Sequence, residues 1–297
     1  MSSPKLTGFI QVLASAAAFG SMAIFAKLAY RSGLTANQLL FWRFFLATLA
    51  LTPWVLAKRL PWPPAKTLLG LALMGALGYV GMSLCYFNAL NYAAAGTVAL
   101  LLYLFPPLVL LLSRLFLGEA LTPRRIVALV LSLSGLTATV GLEFSGQPLG
   151  YLLGIGSAFI YASYIVAGSR ISNGVHPLMS ALVVCASAAL VNGALSLVQG
   201  FALPQGLHGW SATLMLALVS TVAAIALFLA GLQKIGAART SLLSTLEPVV
   251  TLALAALVLG EGLSLAQVLG GGLILSAVAL IAREADPKRT ELTELHD

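Results

Sequence analysis

The same five-segment plan runs twice through this chain, about 142 residues apart, and its loop charges change sides between the copies. Leu104-Phe105-Pro106 followed by Gly118-Glu119-Ala120-Leu121 recurs without a gap as Leu246-Glu247-Pro248 followed by Gly260-Glu261-Gly262-Leu263. Gly8, Ser15, Ala16 and Ser21 pair in the same way with Gly150, Ser157, Ala158 and Ser163. Such a chain has two similar halves around one shared middle. If each half crosses a membrane an odd number of times, the second half is upside down, an arrangement found chiefly in transporters.

Composition supplies the membrane. Apolar residues make up 60% of the chain and charged residues 8%, against roughly 25% charged in a soluble domain. A spanning helix needs about 20 mainly apolar residues. That length predicts ten spans, at 7–30, 36–57, 66–90, 93–117, 123–141, 149–171, 177–199, 209–233, 236–259 and 264–283. Turn-forming residues mark the breaks: Pro61 to Pro64, Gly118 with Pro123, Ser145 to Pro148, Pro204 to Gly209, and Gly260 to Ser264. The expected units are a first five-helix repeat at 7–141, a second, inverted one at 149–283, and a charged tail at 284–297.

The net charge of +7 reflects orientation rather than nucleic-acid binding. Thirteen of the sixteen basic residues fall on the side of the N-terminus; Lys27 and Arg31 face the other side, and Arg43 lies within the second span. This positive-inside bias predicts that both termini are cytoplasmic. Lys58-Arg59 and Arg124-Arg125 correspond to the uncharged Gly200-Phe201 and Ala266-Gln267, as inversion requires. Lys5 and Ala14-Ser15-Ala16 resemble a cleavable signal peptide, but the apolar run continues to Tyr30 and has a repeat partner at 149–171. It is read as a retained first span. Cys85 and Cys185 do not correspond in the repeat and are read as small buried side chains.

Helices in lipid pack closely through small residues. Stripes occur at Gly150, Gly154, Ala158 and Ala162, at Gly75, Gly78 and Gly81, and at Gly270-Gly271-Gly272 with Ser276. These serve either static packing or helices that rock past one another. Pro106 and Pro107 lie mid-span at the position matched by Pro248. Proline removes a backbone donor, and the freed carbonyl must face protein or a wet cavity. Two such sites related by inversion suggest a shared central site. Candidate lining residues at similar depth are Tyr79, Ser83 and Tyr86, then Tyr103, Tyr161, Tyr164, Phe228, Ser244 and Glu247. A buried tyrosine hydroxyl needs a partner, so these rings are either bonded within the protein or face a water-filled cavity.

Two ionisable residues sit within the spans, where each costs at least roughly 2.5–3.5 kcal/mol unless paired or hydrated. Arg43 either anchors a substrate carboxylate or bonds helix-end carbonyls; its off-centre place and lack of a repeat partner favour the second. Glu247 either meets an ammonium group or a proton, or caps groups freed by Pro248.

These residues resemble a known group. Ten spans in two inverted halves resemble the drug/metabolite transporter superfamily. The Pro-containing spans followed by Gly-Glu-x-Leu resemble its EamA-type repeat, as do Trp42-Arg43-Phe44 and Ala18-Phe19-Gly20-Ser21. The chain looks most similar to YddG-type exporters of aromatic and other amino acids. The resemblance implies a central cavity worked by alternating access, with spans three, four, eight and nine lining it and spans one and six rocking. The Gly-Glu pairs are read as turns, with the glutamate favouring the N-terminus of the next helix.

An enzyme would need clustered nucleophiles, bases or metal ligands, yet the three histidines fall in loops or the tail and no P-loop or hydrolase motif occurs. A channel usually needs polar rings from several subunits. Together with the resemblance, the sequence predicts a secondary transporter that exports amino acids across a bacterial inner membrane; the alternatives are a drug or another metabolite as cargo, or a structural or channel membrane subunit. It implies no cofactor, no metal and no nucleic-acid partner. The expected partners are the lipid bilayer and amino acids as the small-molecule substrate, and a single chain suffices for transport.

Overall fold

A computed structural model describes residues 4–141 and 146–284; the expected tail beyond Glu284 lies outside the described residues. Ten helices are long and apolar enough to cross a membrane: Pro4–Tyr30, Ala36–Ala57, Ala65–Ala89, Thr97–Leu117, Pro123–Val140, Pro148–Ile171, Pro177–Val198, Gly206–Ile235, Ala237–Leu259 and Leu265–Glu284. They are the ten expected spans, within a few residues at each end. No strand pairing beyond a single bridge, Ala93 with Gly146, occurs among the described residues. An even number of crossings puts Pro4 and Glu284 on one face, here called the basic face.

Local chemistry sets the ends. Gly118 and Gly260 close spans four and nine at φ +70, donating back to Ser113 O and Ala255 O; only glycine adopts this left-handed conformation readily. Thr122 accepts from Arg125 N to cap span five, and Ser264 accepts from Gln267 N to cap span ten. Thr35 and Gln38 form a capping box at span two.

Most of the main interfaces join one repeat to the other. Span one packs on span eight, three on six, two on seven, and five on ten, while four leans on six as nine leans on one. Each pairing maps onto another, or onto itself, under the two-fold relation. Spans five and ten meet backbone to backbone. A Cβ on Gly135 would lie 2.5 Å from Gly270 O, and one on Gly270 would lie 2.5 Å from Gly135 O, so larger residues would force these helices apart.

Five spans depart from simple α-helices. Span four breaks between Ala95–Leu102 (4a) and Phe105–Leu117 (4b), and span nine between Ala237–Ser244 (9a) and Glu247–Leu259 (9b). The mid-span prolines thus end one helix and start another rather than merely kinking a continuous one, and Pro106 and Pro248 take the second position of their half-helices. Spans three and eight each contain a six-residue π-helical turn, Met74–Tyr79 and Leu218–Ala223, at nearly equivalent repeat positions. Span one also breaks, at Ser21. There Gly20 O accepts from Thr251 Oγ1 of 9b at 2.8 Å, and Ser21 and Ser220 hydroxyls meet at 2.9 Å. Span six is continuous at the corresponding place.

Candidate functional site

The half-helix breaks define the middle of the molecule. Pro106 and Pro107 cannot donate to the carbonyls of Leu102 and Tyr103, nor Pro248 to that of Ser244, where a continuous helix would. The C-terminal ends of 4a and 9a therefore present carbonyl oxygens at mid-depth, where polar backbone is tolerated only against protein or water.

Next to these ends runs a chain of rings. Phe44 meets Tyr79 edge-on at 5.3 Å, Tyr79 meets Tyr164 at 5.5 Å, and Tyr164 stacks with Tyr161 at 6.2 Å. Tyr161 continues to Phe105 at 4.7 Å and Phe105 to Tyr103 at 6.0 Å. Spans two, three, four and six thus bring four of the expected tyrosines together. The Tyr164 hydroxyl is buried and has no hydrogen-bond partner among the described residues, an unusual state for a phenol.

The two charged residues are held differently. Arg43 is 3% exposed. Its Nε donates to Thr221 Oγ1 at 2.6 Å, Nη2 to Ser220 O at 3.3 Å and Nη1 to Met22 Sδ at 3.2 Å. The guanidinium also lies 4.9 Å over the Phe44 ring and 5.7 Å over that of Tyr79, a cation–π arrangement. Arg43 therefore bonds the π-helical turn of span eight rather than a helix end. Its repeat counterpart, Cys185, is buried on span seven, which packs on the π-helical turn of span three. Cys185 and the half-buried Cys85 are both free thiols.

Glu247 opens half-helix 9b at the first-turn position and is partly exposed. Among the described residues its carboxylate makes no hydrogen bond or ion pair. The residue at the same place on 4b is Phe105, which is buried.

The remaining candidates are engaged elsewhere. Ser83 Oγ donates to Tyr79 O at 2.9 Å and Ser244 Oγ to Thr240 O at 2.9 Å, so both hydroxyls are bonded within their own helices. Phe228 is buried edge-on against Phe19, with centroids 6.5 Å apart. Thr221, Ser220 and Phe105 belong to the centre but were not expected there; only the repeat match of Phe105 with Glu247 pointed to any of them.

The two ends of the broken spans are not alike. Toward the basic face, 9a packs on 4b and on spans five and ten, and it is buried from Ala237 to Ser244 apart from a half-buried Arg239. Toward the opposite face, 9b has Ala255 as its only buried residue, and the main contacts of 4a are with spans three, five and six. The glutamate of each Gly-Glu turn also departs from expectation. Glu119 does not serve span five, which Thr122 caps. It reaches across the repeats to accept from Ala237 N at 2.9 Å and Ala238 N at 3.3 Å, the first turn of 9a. Glu261 instead pairs with Lys27 at 2.7 Å, both side chains about half exposed.

Ion pairs reinforce the basic face. Arg125 Nη1 donates to Ala120 O at 2.7 Å and lies 3.5 Å from Glu119 Oε2. Arg239 and Thr122 both bond Glu284, at 3.2 Å each. Arg125 Nε is 3.5 Å from the same carboxylate, a charge contact without hydrogen-bond geometry. Arg170 donates to Phe116 O. Charged and main-chain bonds thus tie the helices together on the basic face.

Known proteins share this plan. A solved crystal structure superposes with a TM-score of 0.80 over 98% of this chain and 99% of that one, at 23% identity, which shows a common fold. An uncharacterized transporter of Archaeoglobus fulgidus is 28% identical over 93% of this chain and 97% of its own. An uncharacterized inner membrane transporter of Escherichia coli K12, YedA, is 29% identical over 80% and 79%. The aromatic amino acid exporter YddG of Ancylobacter novellus is 30% identical over 38% of this chain and 39% of its own. The model of the EamA-like transporter family matches residues 6–141 and again 148–283. With that doubled match on a ten-helix fold broken at its centre, the chain belongs to the EamA-like transporter family.

Proposed function

We propose that the protein is a secondary carrier that exports amino acids, aromatic ones among them, by alternating access across a bacterial inner membrane, with its basic face in the cytoplasm. The observation that carries the substrate class is the pairing of an unpartnered Glu247 carboxylate with a chain of aromatic rings at the level where spans four and nine break.

Each part of a zwitterionic amino acid has a counterpart there. Glu247 and the carbonyls of Leu102, Tyr103 and Ser244 make an electronegative patch suited to an ammonium group. Half-helix starts often hold substrate carboxylates, but prolines at the second and third positions of 4b remove the donors that such a contact needs. The carboxylate is better served by the buried Tyr164 hydroxyl, which has no hydrogen-bond partner among the described residues. Tyr103, Phe105 and Tyr161 offer ring faces and edges to an aromatic side chain, each such contact worth about 0.5–1.5 kcal/mol beyond burial. The partial likeness to YddG supports the same substrate class.

Counterflow with purified protein in liposomes tests the reading. Vesicles loaded with phenylalanine or tryptophan should accumulate labelled aromatic amino acids with saturation. No saturable exchange of any amino acid would remove this substrate class, and exchange of a non-amine metabolite would replace it.

A further inference from the structure

We propose that Glu119 and Glu261 are alternating latches, each capping the first turn of a half-helix on its own face, with only one closed at a time. In this structure the Glu119 latch is closed on Ala237 and Ala238. The two-fold relation carries Glu119 to Glu261 and the pair Ala237-Ala238 to Ala95-Gly96, which begin half-helix 4a. In this assignment the second latch is the open one: Glu261 is about half exposed and paired with Lys27. The packing agrees with this assignment, since 9a packs on 4b whereas the main contacts of 4a do not include 9b. When the molecule turns over, Glu261 leaves Lys27 and accepts from the backbone of Ala95 and Gly96, while Glu119 releases 9a.

A carboxylate on the first-turn N–H groups joins a charge-assisted hydrogen bond to the positive end of a helix dipole. Holding 9a this way fixes the short helix against its neighbours and closes the path beneath the site. The same bond on 4a would close the path above it.

Spin-label pairs at Asn91–Leu263 and Lys234–Leu121, on opposite faces, read the two states in lipid nanodiscs without any substrate. The unsubstituted latch should give a long Asn91–Leu263 and a short Lys234–Leu121 distance. E119Q should raise the population with the reverse pattern by roughly tenfold or more, as loss of a charged hydrogen bond predicts. A237P removes the N–H donor at a position where proline is tolerated and should shift the pairs the same way, which keeps the test valid if E119Q folds poorly. E119Q/E261Q should return toward the original distribution. Unchanged distances in both folded E119Q and A237P would overturn the proposal, as would E261Q shifting the pairs in the same direction as E119Q.

Discussion

Arg43 and Glu247 are both ionisable and both intramembrane, but their surroundings differ. Every polar end of Arg43 has an acceptor or a ring face, so its removal takes a donor from both Thr221 Oγ1 and Ser220 O on the π-helical turn. R43M should cost roughly 1–3 kcal/mol, the usual penalty for a buried group left unsatisfied, read as a lower melting temperature in detergent. R43K should not restore it, because an ammonium cannot reproduce the planar fork. Glu247 has no such ties within the protein. E247Q should leave melting nearly unchanged, within about 0.5 kcal/mol, while abolishing counterflow of amine-bearing substrates. A clear loss of stability in E247Q would instead make the carboxylate a structural cap.

At the scale of helices, packing faces separate from idle ones. A Cβ on Gly270 would press on Gly135 O, Thr139 and Ala138, whereas one on Gly272 meets nothing within 4 Å. Overpacking costs typically 1–3 kcal/mol, so G270A should destabilise by about that much and G272A should not, as thermal denaturation of the two would show. The stripe at 270–272 gave no sign of this difference, because periodicity marks a face but not the neighbour that covers it. The spans themselves were legible from apolar length, and the interruptions at Pro106, Pro107 and Pro248 from proline chemistry and the repeat, though as kinks rather than full breaks. The π-helical turns at Met74–Tyr79 and Leu218–Ala223 were not legible, since a wider turn leaves the composition unchanged. Nor was the reach of Glu119 to Ala237, a bond between a carboxylate and main-chain amides that no side-chain pattern records. Tyr79, Tyr103, Tyr161 and Tyr164 were found by depth; Phe105 was passed over because an apolar residue in an apolar span carries no signal.

For the molecule as a whole, inversion has a direct test. Leu121 and Leu263 are equivalent in the repeat and partly exposed, at 42% and 47%. Single cysteines there, in a C85A/C185A background, should react with a membrane-impermeant thiol reagent from opposite sides of the bilayer. Labelling from the same side would mean that the halves run parallel. The two-fold plan is nonetheless broken where it matters to a solute, because the rotation that maps 4b onto 9b turns Phe105 into Glu247. Two identical halves would offer both ends of a guest the same surroundings and could not tell one from the other. With a ring on one side of the axis and a carboxylate on the other, the proposed binding place has a head and a tail, so a guest with unlike ends is held in one orientation rather than two.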